Sequence, residues 1–238
     1  MYFRWRTCLF GTEQFWHGIL PHNGTPGRRY EELKQAITML TPIMDDTHGI
    51  VSKSRVAILY SYDQNWALKI QPQHPQLAYI QQVQQYYHAF YRLNIPVDFI
   101  HESADFSQYD LVLAPLQYLM TEALEQKLAD YTAQGGHLIL TMRTGVKNWN
   151  NVCMDHSPLP GHLSRVIGAV IEDYDSLIWE ETGMCYNKHY ANAHKWSDIL
   201  TCTTGKPLAV YTDGFAAGKP VIVENQFGKG TAYYVVQN

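Results

Sequence analysis

The side chains best able to do chemistry in this chain are aromatic. Among 238 residues, 17 tyrosines and 6 tryptophans bring the aromatic share to 13%. Aromatic faces can stack on the apolar faces of pyranose rings, so this composition could serve sugar binding. Large aromatic side chains are also common in protein cores and interfaces. Composition alone therefore favours a core of large side chains over a sugar site.

Histidine and cysteine are the other candidates for chemistry. The loose pairs His156 with His162 and His189 with His194 could hold a metal only if further ligands converged on them, and their spacing does not force this. Surface or hydrogen-bonded histidines are the better interpretation. No C-x-x-C pair occurs among the cysteines, so neither a zinc ribbon nor a thioredoxin-type motif is predicted. The four cysteines are Cys8, Cys153, Cys185 and Cys202. We expect no metal and no cofactor, and reduced, buried thiols in a cytoplasmic protein, with a disulfide pair as the alternative.

The sequence lacks the common motifs for phosphate binding and nucleophilic catalysis. The first predicted strand is followed by the glycine-free run at 61–66, which excludes a dinucleotide fingerprint there. The chain has no G-x-x-x-x-G-K-[ST] loop and no G-x-S-x-G elbow. No cysteine follows a predicted strand in the position of an amidotransferase nucleophile. The sequence thus predicts a scaffold without catalytic residues of its own.

Alternating elements should build that scaffold from residue 54 onward. Short apolar runs typical of buried parallel strands lie at 56–60, 97–100, 111–115 and 137–141. Helical spacing at 75–93, and a helix capped by Thr121 and closed by Gly135-Gly136, lie between them. The resulting β-α-β-β-α-β order predicts an α/β fold with an open, mostly parallel sheet and flanking helices.

The pattern becomes less helical after residue 150. Strand-like pieces occur at 169–171, 209–211, 221–223 and 231–236, with turns at Asp213-Gly214 and 227–230. These strands either extend the same sheet or add a small antiparallel layer.

Residues 1–24 have an unusual opening for a domain. Aromatic side chains occur from the start without a polar lead-in, as in a strand that belongs to a larger body. A helix should follow, capped by Thr25 with Pro26 at its first position, and end near Asp45-Asp46. Its helical spacing predicts one buried face. That face consists of Tyr30, Leu33, Ile37, Leu40 and Met44.

Several blocks resemble the β-galactosidases of glycoside hydrolase family 42. The runs 3–6 and 10–20 resemble the last barrel strand of that family and the loop after it, and the likeness continues through 27–30. The run 61–68 is similar to the opening of the family's trimerisation domain. Similar sequence also occurs at 110–115, 135–136 and 159–161.

The resemblance implies a domain organisation. Residues 1–48 would be the C-terminal remnant of a (β/α)8 barrel, and residues 54–238 an α/β trimerisation domain that is flavodoxin-like, or glutamine-amidotransferase-like. Members of the family act as homotrimers and hydrolyse terminal β-D-galactosides with retention, using two glutamates. Both glutamates precede the block at 3–6 in the family, so this chain should contain no catalytic residue and should be inactive alone. Without the rest of a barrel, Phe3, Trp5, Phe10, Phe15 and Trp16 should be exposed or packed on non-native partners.

Substrate-binding residues are also implied by the resemblance. Barrel active sites lie at the carboxyl ends of the strands. Phe3 would line the galactose subsite, and Glu13 matches a glutamate that hydrogen-bonds sugar hydroxyls. Many members have a sugar-binding histidine where this chain has Trp16, and His17 follows one residue later. Taken without the resemblance, Glu13 is a solvated loop carboxylate, Phe3 a core residue and His17 a packing residue. Arg4 and Arg6 are expected to hold structure through carboxylate pairs.

Composition limits the partners. Hydrophobic residues make up 46% and charged residues 17%, which is typical of a globular chain. A net charge of −4 argues against nucleic acid, and no apolar run is long enough to span a membrane. The first residues lack the apolar segment of a signal peptide. Besides a part of a β-galactosidase, two alternatives remain: a non-catalytic assembly module and a free-standing flavodoxin-like ligand-binding protein.

Overall fold

The computed structural model describes residues 2–51, 53–155 and 158–236. The chain divides into two compact units, Met1–Ser52 and Lys53–Asn238. His156, one of the histidines considered above, lies outside the described residues.

The first unit contains one long helix, α1 (Arg28–Thr47). Its N-cap is Gly27, so the prediction of Thr25 as the cap was wrong by two residues. The predicted buried face was also wrong, because no residue of α1 is buried and Ile37, Leu40 and Met44 are exposed. Only the first part of that face is covered, because Tyr30 and Leu33 are half-buried and the Tyr30 ring lies 6.3 Å from the Trp5 ring.

The second unit alternates helices and strands and then ends in strands. The elements are β1 (Val56–Leu59), α2 (Tyr62–Ile70), α3 (Tyr79–Arg92), β2 (Val97–Ile100), β3 (Leu111–Ala114), α4 (Glu122–Ala133), β4 (His137–Thr141), a 3-10 turn (Gly161–Leu163), α5 (Ser164–Ile167), β5 (Ala169–Tyr186), β6 (His189–Cys202), β7 (Lys206–Tyr211), β8 (Pro220–Phe227) and β9 (Gly230–Val235). All the predicted strand segments are present, whereas α2 and β6 were not foreseen.

Within the described residues, the strands form a single nine-stranded sheet in the order β2-β1-β3-β4-β9-β8-β7-β5-β6. The first five strands in this order pair in parallel, and the other four are joined by antiparallel pairing. This confirms the predicted α/β fold with an open sheet. It also decides between the alternatives for the last strands, because they extend the same sheet.

Helices cover the two faces of the parallel half. Alternate strand residues point to opposite faces, so Ala57 and Leu59 pack with α4 whereas Ile58 packs with α2 and α3. Thr121 caps α4 as predicted, its hydroxyl accepting a hydrogen bond of 3.2 Å from the Leu124 N–H. These contacts fix the loops at the carboxyl ends of β1 and β3.

Candidate functional site

The candidate sugar-binding residues lie on or beside a loop, residues 8–17, whose base is tightly held. The Leu20 N–H donates to the Trp5 carbonyl at 2.7 Å, and the Thr7 N–H donates to the Leu20 carbonyl at 3.0 Å. Between these bonds Gly18 is buried, and its N–H donates to the Thr7 hydroxyl at 3.0 Å. A Cβ on Gly18 would stand 2.5 Å from the Thr7 nitrogen, so only glycine allows this close approach.

Arginines reinforce the first unit. Arg6 donates to the backbone carbonyl of His22 at 2.6 and 3.1 Å, rather than to a carboxylate as expected. Arg29 donates to the Gly18 carbonyl at 2.8 Å. Hydrogen bonds therefore hold both ends of the loop, while residues 11–17 are exposed to solvent.

At the loop, Arg4 joins two of the predicted sugar-binding residues. Its guanidinium pairs with the Glu13 carboxylate, as predicted for Arg4, and lies 4.6 Å from the centroid of the Phe3 ring. Arg4 also hydrogen-bonds the Cys8 sulfur. The structure thus brings Phe3 and Glu13 together through a common cation, an arrangement that leaves both side chains exposed.

Trp16 and His17 follow Glu13 around a turn closed by a 3.1 Å hydrogen bond from the Trp16 N–H to the Glu13 carbonyl. Both side chains are exposed. The five apolar side chains expected to be uncovered are all exposed, with Phe15 at 90%. These are Phe3, Trp5, Phe10, Phe15 and Trp16. An exposed loop surface with aromatic and polar side chains can contact a ligand or another protein surface.

In the second unit, the place where an open α/β sheet binds ligands is filled. The order β2-β1-β3-β4 has its switch point between β1 and β3, and ligands of such folds bind at the carboxyl ends of those strands. Here Gln64 of α2 is completely buried and hydrogen-bonds the backbone of Leu119, while Gln117 and Tyr118 are buried beside it. The chain's own side chains therefore occupy the crevice.

A buried polar cluster lies just past β4, and sequence reasoning missed it. The Asp198 carboxylate accepts from Trp196 Nε1 at 2.8 Å, from the Tyr234 hydroxyl at 2.7 Å and from the Arg143 N–H at 3.1 Å. The Arg143 guanidinium lies 4.3 Å from the Trp196 ring centroid, 5.2 Å from that of Tyr118 and 5.4 Å from that of Tyr174. The sequence signals that could have indicated this cluster are Arg143 and Asp198, which are charged residues within apolar runs. The hydrogen bonds to Asp198 join the end of β4 to β6 and β9, whereas the buried Arg143 Nε has no hydrogen-bond partner among the described residues.

The described part of the chain also contains the histidines and cysteines considered above, except His156. No group of three or more His, Cys, Asp or Glu side chains there could hold a metal ion. Cys8, Cys153, Cys185 and Cys202 are free. The prediction that they are buried was wrong, because Cys153 is exposed and the other three are half-buried. His194 pairs with Glu181 at 3.2 Å. No helix among the described residues is long and apolar enough to cross a membrane.

Comparison with known proteins assigns the chain to a protein family. The family model described as "Beta-galactosidase trimerisation domain" matches residues 54–238, and the one described as "Beta-galactosidase" matches residues 1–43. The chain belongs to glycoside hydrolase family 42. This family membership confirms the resemblance described from the sequence blocks.

Relatives of family 42 match almost the whole chain. It is 38% identical to a β-galactosidase of Clostridium cellulovorans, covering 99% of this chain and 36% of that protein. It is 32% identical to one of a Geobacillus species, over 99% of this chain and 35% of the relative. The chain therefore spans about a third of the length of the curated relatives it matches.

Solved structures of family 42 share the fold. The β-galactosidase of Bacillus circulans superposes with a TM-score of 0.90 at 27% identity, covering 99% of this chain and 36% of its own. That of Halorubrum lacusprofundi superposes with a TM-score of 0.82 at 32% identity, covering 98% and 35%. Both units of the chain thus have structural counterparts within larger β-galactosidases.

Proposed function

We propose that this chain is the subunit-assembly part of a family 42 β-galactosidase that hydrolyses terminal β-D-galactosides with retention. Residues 1–48 would complete the C-terminal end of its (β/α)8 barrel, and residues 54–238 would form a trimerisation domain related to glutamine amidotransferases. The observation that carries this proposal is the match of two different family models to consecutive parts of the chain, 1–43 and 54–238.

The geometry of the loop supports a contribution to the galactose subsite. Phe3, Glu13, Trp16 and His17 are exposed at or beside a loop whose base is fixed by backbone hydrogen bonds. A carboxylate has about four acceptor positions. Glu13 can therefore keep its pair with Arg4 and still accept from the hydroxyls of a galactose diol. Phe3, beneath the same guanidinium, would offer a face to the sugar ring.

The chain by itself is proposed to assemble without catalysing. The family resemblance places both catalytic glutamates before residue 3, and the ligand crevice of the second unit is filled by Gln64 and its neighbours. Its four free cysteines fit a reducing, cytoplasmic location. The proposed partners are two further copies of the chain and, in the longer enzyme, the β-galactoside substrate.

Mass in solution tests this proposal first. Light scattering of the purified chain, over a range of protein concentrations, should give three times the mass of one chain. Calorimetric titration with galactose should give no heat of binding, because most of the barrel that would enclose the sugar is outside this sequence. A monomer at every concentration would contradict the assembly role. A monomer that binds galactose would favour a free-standing ligand-binding protein.

A further inference from the structure

A continuous row of aromatic rings crosses the edge of the second unit where α2, α3 and β2 meet. Neighbouring ring centroids lie 5.9, 5.4, 6.3, 5.5 and 6.1 Å apart along the row. In order, the rings belong to Trp66, Tyr62, Tyr60, Phe99, Tyr87 and Tyr91. We call this row the aromatic ribbon. Phe99 lies on β2, which is an edge strand of the sheet.

Four rings of the aromatic ribbon are strongly exposed: Tyr62 and Trp66 at 60%, Tyr91 at 65% and Phe99 at 48%. With about 200 Å² for each aromatic side chain, these four alone expose on the order of 450 Å². The largest apolar patch on a typical monomer is about 300–600 Å², and one partner of a standard interface buries about 800 Å². The ribbon therefore supplies more than half of the area that a stable protein contact needs.

The ring orientations favour a protein surface over a saccharide as the occupant. Tyr60 stands at 81° to Tyr62 and at 82° to Phe99, so the rings do not form one flat platform on which a sugar chain could lie. The other neighbouring pairs are inclined by 29°, 41° and 34°, so the ribbon presents ring faces and ring edges together. Exposed charges border the ribbon at Lys69 and Arg92, as expected for the polar rim of an interface.

We propose that the aromatic ribbon is a contact surface between copies of this chain, covered by the next copy in the trimer. The inference rests on the proposed function, because the partner is the second copy that a trimerisation domain requires. A ring of three identical subunits uses heterologous contacts, in which one surface of each copy meets a different surface of the next. The ribbon is assigned as one of these two surfaces.

The test substitutes two of the three exposed ribbon residues on helices, in the full 238-residue chain. Trp66→Gln with Tyr91→Gln removes the protruding rings but keeps helix-compatible side chains, so α2 and α3 should remain folded. The matched control is Tyr190→Gln with Phe215→Gln, because those rings are even more exposed, at 76% and 71%, and lie outside the ribbon. Light scattering at equal concentrations, with far-UV circular dichroism to verify folding, gives the readout.

The expected result is a threefold fall in mass for the ribbon variant while the control keeps the wild-type mass. A ribbon variant that stays trimeric, or a control that dissociates equally, would overturn this assignment and leave the proposed function intact. A wild-type chain that is already monomeric would instead refute the proposed function, and this inference with it.

A second measurement needs no variant. In oxidative footprinting of the wild-type trimer, Trp66 should be labelled less than Trp149, although a single chain exposes Trp66 more, at 60% against 45%. Stronger labelling of Trp66 than of Trp149 in the trimer would overturn the assignment even if the ribbon variant failed to fold.

Discussion

The side-chain amide of Gln64 forms two hydrogen bonds to the backbone of Leu119, which lies 55 residues further along the chain. Its Oε1 accepts from the Leu119 N–H at 2.7 Å, and its Nε2 donates to the Leu119 carbonyl at 2.9 Å. The pair ties α2 to the loop before α4 and closes the crevice at the carboxyl ends of β1 and β3. Because the amide mimics a strand neighbour, no apolar side chain of similar size can replace it.

Replacing Gln64 should therefore destabilise the second unit. Gln64→Leu keeps the volume but leaves the buried Leu119 N–H unpaired, while the Leu119 carbonyl keeps a 3.1 Å hydrogen bond from Gln117 Nε2. This should lower the free energy of unfolding by about 2 kcal/mol. Urea unfolding at one fixed protein concentration measures it. Gln84→Leu, on the exposed side of α3, is the control and should change stability by less than about 0.5 kcal/mol. Equal effects of the two substitutions would contradict this role of the amide.

Asp198 should make stability depend on pH. Burial raises the pKa of its carboxyl group above the ordinary value, against the lowering by hydrogen bonds from Trp196 and Tyr234. Above the ordinary pKa, the folded chain then holds more protons than the unfolded chain. Asp198 therefore contributes most to the free energy of unfolding below about pH 4. This contribution is lost as the pH rises through the raised pKa.

Asp198→Asn isolates that effect, because asparagine cannot titrate. The difference in free energy of unfolding between the wild type and this variant should be largest near about pH 4 and shrink toward pH 7. Asp105→Asn gives the opposite trend, since hydrogen bonds from Ser107 lower the pKa of Asp105 and its contribution is lost as the pH falls. Denaturant unfolding across this pH range checks both slopes. A difference for Asp198→Asn that grows with pH would show that its pKa is lowered.

The cap of α4 offers a smaller and cleaner test. Thr121→Ala removes the acceptor for the Leu124 N–H and should lower the free energy of unfolding by about 1 kcal/mol. Thr121→Ser keeps the hydroxyl and should cost much less. Thermal unfolding of the two variants side by side measures the difference, and equal losses would mean that the methyl group of Thr121, rather than its hydroxyl, stabilises the helix end.

Gly18 should control how firmly the loop at residues 8–17 is anchored. Gly18→Ala places a Cβ 2.5 Å from the Thr7 nitrogen and should open the base of the loop. Hydrogen exchange should then accelerate at the amides of Thr7 and Leu20, which form its backbone bonds. Gly27→Ala is the matched control, because no atom lies within 4 Å of a Cβ at that position. Unchanged protection of both amides in Gly18→Ala would argue against the close approach.

The sequence predicted the parallel half of the sheet well. Continuous apolar runs such as Val56–Leu59 occur where strands are covered on both faces, and Thr121 with Gly135-Gly136 marks the ends of α4. Strand β6 was missed because its first residues lie on an exposed edge and its buried part contains Ser197 and Asp198, whose polar groups find partners only in the folded sheet. Helix α2 was missed because it is short and exposes Tyr62 and Trp66.

Prediction of the site depended on family resemblance rather than on pattern. The spacing of Phe3, Arg4 and Glu13 does not indicate that the Arg4 guanidinium contacts both the Phe3 ring and the Glu13 carboxylate. That arrangement depends on how the loop at 8–17 is closed, through the hydrogen bond between Gly18 and Thr7. The predicted pair of Arg4 with a carboxylate was confirmed, whereas Arg6 binds a backbone carbonyl. The roles of Phe3, Glu13, Trp16 and His17 in sugar binding stay predictions.

The position of β9 has a consequence for the order in which the chain can fold during synthesis. β9 is the last strand of the described chain, yet it lies in the middle of the sheet, between β4 and β8. Its partner residues on β4 are more than 90 positions earlier, so the parallel half and the antiparallel half have no shared strand until β9 emerges. Until then the ribosome would carry two incomplete half-sheets with open edges, a state prone to wrong pairing. Folding of this unit should therefore be complete only after β9 has left the ribosome.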